Sequence, residues 1–179
     1  GHGCAVVGEL SDGRVLCYDA GSMSRMDIGP SVILPFLRAR GIGRLDAVFI
    51  SHTNLDHYCA VPDLCDTLKV ASVYTNEYVS AKEKKSASAL LFRDIEASGL
   101  SVETLSQDDR LESIEVLWPP KNDGTLSLST NDQSLVLRIT QPGGTLLLAG
   151  DIGERPQQWL VQNRGDSLKS DVLLLPHHG

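Results

Sequence analysis

The chain has 179 residues, of which 41% are hydrophobic and 22% are charged, and this length and composition fit one ordinary globular domain. Its formal net charge of -7 at pH 7 argues against a broadly basic surface for non-specific nucleic-acid binding, but it does not exclude a metal that receives phosphate. No apolar run approaches the roughly 20 residues that span a bilayer, and no signal-peptide pattern opens the chain. We therefore expect a soluble segment that makes no membrane contact itself.

The cysteines and the two ends of the chain further limit the kind of domain that the sequence can encode. Cys4, Cys17, Cys59 and Cys65 lack the paired C-x-x-C spacing of a structural zinc site, and four cysteines in a chain of this length do not suggest a disulfide scaffold. The chain opens directly into a predicted strand and closes directly after another. We interpret it as a single domain cut from a longer polypeptide at both ends.

Strands and helices alternate in the first part of the chain. Asp12-Gly13 is a hairpin signal between two strands, and Pro30 suits the first turn of a helix that Gly41 can cap. The apolar run at 45–50 is typical of a central strand that is covered on both faces. The predicted elements are strands at 4–10, 14–19, 45–50 and 70–75 and helices at 30–40, 60–68 and 80–98.

The second part predicts a sheet with hairpins, followed by a helix and a last strand. Pro142-Gly143-Gly144 marks the turn between two of these strands. The predicted elements are strands at 101–105, 110–117, 133–140, 145–149 and 171–175 and a helix at 154–164. This order of elements predicts two mixed sheets packed face to face, with helices on both outer sides.

The loop at 51–57 carries the sharpest chemical signal. It places His52, Asp56 and His57 directly after a buried strand, where α/β sheets position their sites. Imidazoles and carboxylates are the side chains that bind zinc and related metals. Four of the five histidines of the chain follow two separate apolar strands, because His177 and His178 come directly after the last one. This pattern favours a metal site over isolated structural histidines.

Asp151 repeats the pattern at the end of the apolar run 146–150. A carboxylate at that position is costly to bury unless it meets a cation. Asp151 could instead be the N-terminal cap of the following helix. Together with the two histidine-bearing segments, it is better interpreted as a metal ligand.

Six segments, taken together, resemble the metallo-β-lactamase superfamily and, within it, the extracytoplasmic domain of ComEC-type DNA internalization competence proteins. The resemblance covers the whole chain, and the order of the segments matches the family pattern. The segments are Gly1-His2-Gly3, Asp19-Ala20-Gly21, the loop at 51–57, the stretch at 131–137, Gly150-Asp151-Ile152 and Pro176-His177-His178-Gly179.

The resemblance implies an αββα sandwich and a site for two divalent metal ions. It assigns His52 to the first metal position, makes Asp151 the bridging ligand and lets Asp19 orient the metal loop. His178 is then a neighbour that contacts the substrate or an alternative ligand. The implied ligands of the second position are Asp56, His57 and His177.

The chain departs from the family pattern at three places. Asn54 stands where the family has His or Asp, and no histidine lies between His57 and His177 to complete the first metal position. The family's Gly-Gly is replaced at 58–60, and Cys4 stands where the family has an acid. We therefore expect one tightly held Zn²⁺ or Mn²⁺ ion and a second that binds weakly.

The resemblance implies a metal-dependent hydrolase of phosphodiesters, most concretely a nuclease that acts on single-stranded DNA during uptake. Asp56 and His178 are the candidate catalytic residues, and His178 would assist the leaving group. The location implied is the extracytoplasmic face of a bacterial inner membrane, as part of a membrane-bound polypeptide, and otherwise the cytoplasm. Two alternatives stay open: a hydrolase of another ester class on this fold, and a catalytically degenerate structural or binding domain, which Asn54 motivates.

Overall fold

The computed structural model describes residues 3–79 and 87–179, together with the side chains of these residues other than Ala87 and His178. Its strands are β1 (Ala5–Glu9), β2 (Val15–Ala20), β3 (Arg44–Leu45), β4 (Ala47–Phe49), β5 (Lys69–Val70), β6 (Val73–Asn76), β7 (Val102–Leu105), β8 (Arg110–Leu111), β9 (Ile114–Trp118), β10 (Val136–Gln141), β11 (Gly144–Leu148) and β12 (Val172–Leu174). Its α-helices are α1 (Leu34–Ala39), α2 (Leu55–Tyr58), α3 (Val61–Thr67), α4 (Ala87–Ala97) and α5 (Glu154–Arg164).

The first large sheet has the strand order β1-β2-β4-β6-β7. The predicted hairpin joins β1 to β2 in antiparallel fashion, and Asp12 accepts a hydrogen bond of 3.0 Å from the Arg14 N–H inside the turn. The pairs β2/β4, β4/β6 and β6/β7 are parallel, so the carboxyl ends of these strands meet at one edge. This edge carries the loop that follows β4.

The second large sheet has the strand order β12-β11-β10-β9-β8. Its pairs are antiparallel except for β11 and β12, which run parallel. The carboxyl ends of β11 and β12 therefore lie side by side. Asp151 follows the first of them and His177 follows the second.

The two sheets pack face to face, and helices cover both outer faces. Leu16 and Phe49 of the first sheet share one buried cluster with Val116 and Leu137 of the second. On the outer face of the first sheet, a second cluster contains residues of α1, α3 and α4, and on the outer face of the second sheet a third contains Leu160 of α5. The predicted αββα arrangement is confirmed. Each outer layer buries one apolar face of a helix against a sheet.

Local structure departs from the sequence prediction at several places. The predicted strand at 133–140 begins only at Val136, after a 3-10 turn at Asn131–Gln133, and the predicted helix at 30–40 opens with a π-helical turn at Gly29–Ile33. The predicted strand at 45–50 is interrupted at Asp46, whose carboxylate accepts the Val15 N–H at 2.8 Å. The predicted strand at 110–117 breaks at Glu112, which has a φ of 54°. The loop at 51–57 contains the start of the short helix α2, so Asp56 and His57 are helical residues.

Part of the predicted helix at 80–98 falls outside the described residues. The described portion is α4, and residues 80–86, with the basic stretch at 82–85, are not described, nor are Gly1 and His2 of the opening motif. Within the described ranges, no helix has the length and apolar character needed to cross a membrane.

Candidate metal centre

His52 lies three residues after Phe49, the last residue of the strand β4, and its side chain is completely buried. Its Nδ1 atom lies 2.9 Å from the Ser51 hydroxyl and 3.2 Å from the Ser134 hydroxyl. Each hydroxyl gives its only hydrogen to another acceptor, because Ser51 donates to Asp19 at 2.8 Å and Ser134 donates to the Asn131 carbonyl at 2.7 Å. Both therefore accept from His52 Nδ1–H, and the lone pair of this imidazole lies on Nε2.

The Nε2 atom of His52 is the clearest sign that a ligand belongs here. It is buried and has no hydrogen-bond partner among the side and main chains that the structure describes. A buried polar atom without a partner costs free energy, and such an atom in a native structure calls for an unplaced partner. A metal ion that accepts the Nε2 lone pair would supply that partner.

His57 is positioned by a buried carboxylate. Its Nδ1 atom lies 2.7 Å from Oδ2 of Asp19, and its Nε2 atom lies 3.3 Å from Oδ2 of Asp151 and 3.9 Å from Oδ2 of Asp56. Asp19 is itself fixed, since its Oδ1 accepts the Ser51 N–H at 2.7 Å. A carboxylate on one imidazole nitrogen orients the ring and directs the other nitrogen toward a metal.

Asp151 reaches the same point from the second sheet. It follows Gly150, whose φ of +57° suits glycine and whose added Cβ would lie 2.6 Å from Cβ of Ser134. The main-chain N–H of Asp151 donates to the Ser134 hydroxyl at 3.0 Å. The alternative role as a helix cap is wrong, because the N-cap of α5 is Gly153 and its N–H bonds to Asp132 at 2.9 Å.

These three residues form a compact set of metal-type ligands. Each of His52, His57 and Asp151 offers one ligand atom, and the three atoms all lie within 4.8 Å of one another. Two imidazole nitrogens and a carboxylate oxygen are a donor set that zinc, manganese and iron proteins use. The donor set and the unpaired His52 nitrogen fit a divalent cation.

The electrostatics of the two histidines differ. Burial lowers the pKa of His52 to about 4, and the neighbouring His57 adds to this effect. Burial alone would also lower the pKa of His57, but its hydrogen bonds to Asp151 and Asp19 raise the value to about 10. At neutral pH and without metal, His57 therefore carries a proton and His52 does not. A cation bound by both would replace the proton of His57.

The remaining predicted ligands lie around this group. Asp56 is buried on α2, next to His57. His177 is exposed, and its main-chain N–H donates to the Gly150 carbonyl at 3.1 Å. Its imidazole Nδ1 atom lies 3.5 Å from Nδ2 of Asn131. Neither belongs to the described group of atoms within 4.8 Å, and the side chain of His178 is not described. The resemblance assigns His52 and His57 to two metal positions that Asp151 bridges, and the structure places both histidines beside Asp151.

Asn54 is engaged with another amide. Its Nδ2 atom donates to Oδ1 of Asn131 at 2.8 Å. Sequence reasoning treated Asn54 only as a weak ligand, and it assigned no role to Ser51, Ser134 or Asn131. The last two belong to the stretch at 131–137 that carries part of the family resemblance, so a signal for them was present.

Cys4 lies on the other side of His57. Its N–H donates to the Asp56 carbonyl at 3.0 Å, and its sulfur lies in a second group of close ligand atoms with Asp19 and His57. Burial, with the nearby carboxylates, raises the pKa of this thiol well above its usual range. The residues that line a cavity of about 520 Å³ include Cys4, Val6, Asp151 and Leu173. The cavity therefore borders the ligand group at Asp151.

A sandwich of two mixed sheets, with imidazole and carboxylate ligands collected where their strands end, defines a class of metal-binding α/β proteins. The chain belongs to the metallo-beta-lactamase superfamily, whose family model matches residues 4–179. This finding confirms the resemblance seen in the sequence.

Relatives with competence names match most of the chain. It is 31% identical over 184 residues to ComE operon protein 3 of Bacillus subtilis (strain 168), and the match covers 93% of this chain and 23% of that protein. It is 28% identical over 182 residues to Competence protein ComA of Neisseria gonorrhoeae, with 100% of this chain and 23% of that protein covered. The chain thus spans about a quarter of the length of these curated relatives.

A solved structure supports the fold independently. The crystal structure of a metallo-beta-lactamase-type protein from Thermotoga maritima superposes with a TM-score of 0.64 at 20% sequence identity. The superposition covers 97% of this chain and 84% of that one. At this identity the likeness shows the shared fold.

Proposed function

We propose that this chain is a metal-dependent hydrolase of phosphodiesters and that its substrate is DNA, taken as a single strand during uptake. Two observations carry the proposal: the Nε2 atom of His52 is buried and has no partner among the described residues, and His52 belongs to one ligand group with His57 and Asp151. The superfamily supports a hydrolytic site, and the competence names of the two relatives support DNA as the substrate.

The chain's own residues divide the work of holding the ion and moving protons. His52, His57 and Asp151 would hold a Zn²⁺ or Mn²⁺ ion, and Asp19 keeps the His57 ring in place. When bound, such an ion polarises a phosphoryl oxygen and lowers the pKa of a water molecule to about 7. Asp56, with one oxygen 3.9 Å from the His57 Nε2 atom, would accept the proton of the attacking water. His178 is proposed to protonate the leaving alkoxide.

The substrate has to bind without broad electrostatic attraction, because the chain carries a net charge of -7. Binding of a phosphodiester would therefore depend on the metal ion, and the mainly apolar wall beside Asp151 would take the sugar or the base. Within a longer, membrane-bound polypeptide, the domain would act on the extracytoplasmic side of a bacterial inner membrane.

The test is hydrolysis of single-stranded DNA and of a chromogenic phosphodiester by the chain loaded with Zn²⁺ or Mn²⁺. We expect metal-dependent cleavage that Asp56→Ala and His57→Ala abolish, whereas Asn54→Ala changes it little. The matched control is Asp63→Ala, a helical carboxylate in α3 that touches none of the proposed ligands in the described contacts. A metal-loaded chain that cleaves neither substrate would contradict the proposal.

One observation favours a second candidate, a catalytically weak domain kept for structure or binding. The Asn54 amide is hydrogen-bonded to Asn131, and it stands where the family has a strong ligand. Metal content separates the candidates: a chain that retains no transition metal after dialysis is not a hydrolase of this type. A third possibility, hydrolysis of another ester class on the same fold, would appear as activity toward carboxylic esters without phosphodiester cleavage.

A further inference from the structure

Ser134 occupies a position where three parts of the proposed site meet. It follows the turn Asn131–Gln133 in the sequence and precedes the strand β10, and it is completely buried. Its hydroxyl donates to the Asn131 carbonyl at 2.7 Å, accepts from the Asp151 N–H at 3.0 Å and lies 3.2 Å from Nδ1 of His52. One donated and two accepted bonds exhaust the capacity of a hydroxyl.

The neighbouring backbone is shaped to allow this approach. Residue 150 is a glycine with a φ of +57°, and a Cβ there would lie 2.6 Å from the Ser134 Cβ and 2.9 Å from the Ser134 oxygen. The next residue, Leu135, donates its N–H to the Ser51 carbonyl at 2.9 Å and accepts from the Tyr18 hydroxyl at 2.6 Å. Ser134 is therefore held against the first sheet while it bonds to the second.

We infer that Ser134 is a positioning residue that sets the tautomer of His52 and the distance between His52 and Asp151, and so governs metal affinity. The inference rests on the proposed metal site. The direction of the Ser134 hydrogen, toward the Asn131 carbonyl, leaves only acceptor capacity for His52 Nδ1–H and for the Asp151 N–H. The lone pair of His52 is thereby kept on Nε2, the buried nitrogen that has no partner among the described residues.

Asn131 extends this role to the other end of the site. Its main-chain carbonyl takes the Ser134 hydrogen, its Oδ1 accepts from Asn54 in the metal loop, and its Nδ2 lies 3.5 Å from Nδ1 of His177. The turn that carries Asn131 and Ser134 thus touches every segment that contributes a proposed ligand. A change at Ser134 should alter the ligand geometry without removing a ligand.

The experiment measures Zn²⁺ affinity by chelator competition and the visible spectrum of the Co²⁺-loaded chain for Ser134→Ala. Loss of a partner that orients a ligand typically weakens metal binding by about 10- to 100-fold, and we expect a loss in this range together with an altered Co²⁺ spectrum. The matched control is Ser106→Ala, since Ser106 is another buried serine, whose hydroxyl lies 3.3 Å from Asp109 and not at the site. It should leave both readouts unchanged.

Ser134→Cys provides a second variant of similar volume with a weak hydrogen-bonding group, in case the alanine variant does not fold. It should show the same direction of change in affinity and spectrum. Unchanged Zn²⁺ affinity and an unchanged Co²⁺ spectrum in a folded Ser134 variant would overturn the inference while leaving the proposed function intact. An unsubstituted chain that binds neither Zn²⁺ nor Co²⁺ would instead overturn the proposed function.

Discussion

Oδ2 of Asp19 lies 2.7 Å from Nδ1 of His57, and neither side chain exposes more than 1% of its surface. This pair comes from two different strand ends, because Asp19 belongs to β2 and His57 follows β4. Burial raises the pKa of Asp19, and its hydrogen bonds to His57 and Ser51 oppose that effect. The carboxylate is retained in the core because the imidazole and the Ser51 groups satisfy it.

We predict that Asp19→Asn weakens metal binding without removing a ligand. The amide keeps the shape of the carboxylate but loses the charge that fixes Nδ1–H of His57, so the other tautomer becomes accessible. The expected loss of Zn²⁺ affinity is about 10- to 100-fold, measured by chelator competition. Asp46→Asn, which alters another partly buried carboxylate away from the site, is the control. Equal affinities for the Asp19 variant and the unsubstituted chain would show that Asp19 does not act on the metal.

The stability of the metal-free chain should fall as the pH rises above 6.5. The pKa of His57 is about 10 in the folded state against an ordinary value of 6.5, so the folded state keeps a proton that the unfolded chain loses. The stabilisation by protonated His57 is complete below pH 6.5 and is lost as the pH approaches about 10. Urea unfolding in the presence of a chelator, repeated over this pH range, measures the effect.

Two comparisons test the assignment to His57. The variant His57→Gln should lose most of the decline that begins at pH 6.5. Saturating Zn²⁺ should also remove it, because the ion takes the place of the proton and adds its own binding free energy. A decline of the same size in His57→Gln would assign it to other groups, such as the buried thiols.

The number of bound ions should depend on Asn54, because its amide is hydrogen-bonded to Asn131 at a position where the family has a strong ligand. We expect close to one tightly held Zn²⁺ or Mn²⁺ per dialysed chain, with a second appearing at high metal concentration or when substrate phosphate supplies ligands. Asn54→Asp or Asn54→His should raise the affinity for the second ion, although each substitution also removes the Asn54 amide donor to Asn131. Elemental analysis measures the ratio. Two ions retained by the unsubstituted chain would show that another ligand completes the weaker position.

Gly150 should tolerate no side chain. A left-handed backbone conformation costs a residue other than glycine roughly 1–3 kcal/mol, and the Cβ contact with Ser134 adds to this cost. We therefore expect Gly150→Ala to reduce the free energy of unfolding by at least about 1–3 kcal/mol, measured with urea. Gly143→Ala is the control, because nothing lies within 4 Å of a Cβ built there and its backbone is not left-handed. A change no larger than that of the control would refute the argument.

Periodicity predicted most of the fold, and the occurrence of imidazoles and carboxylates at strand ends pointed to the three residues that the structure groups together. The helix α5 (Glu154–Arg164) has the predicted bounds, and the hairpin at Asp12-Gly13 forms as predicted. His52 and His57 follow a strand of the first sheet and Asp151 follows a strand of the second, and the three come together because these strand ends lie at the same end of the sandwich. A sequence pattern can express that each of them follows a buried strand. The breaks at Asp46 and Glu112 could not be predicted, because each depends on a backbone bend or a hydrogen bond to a distant residue.

The partners of the ligands are less accessible to sequence reasoning. Ser134 contacts His52 across 82 positions of sequence, and although the family resemblance includes Ser134, the pattern does not say which side chain its hydroxyl contacts. The hydrogen bond between the Asn54 and Asn131 side chains also joins distant positions of the sequence. It pairs the amide at a family ligand position with another amide. The grouping of His52 with His57 around Asp151 also depends on side-chain directions, which spacing alone does not determine.

The origin of the ligands in different sheets has a kinetic consequence. His52 and His57 follow the strand β4 of the first sheet, whereas Asp151 follows β11 of the second. An ion coordinated by all three would cross-link the two sheets. It could dissociate only when a ligand detaches or the two sheets separate locally. Its dissociation rate would then depend on the frequency of local opening at this end of the sandwich. Amide hydrogen exchange detects the same opening events. The rate of exchange of bound zinc with radioactive zinc and the hydrogen-exchange rates of the Leu135 and Asp151 amides should therefore change in parallel among variants.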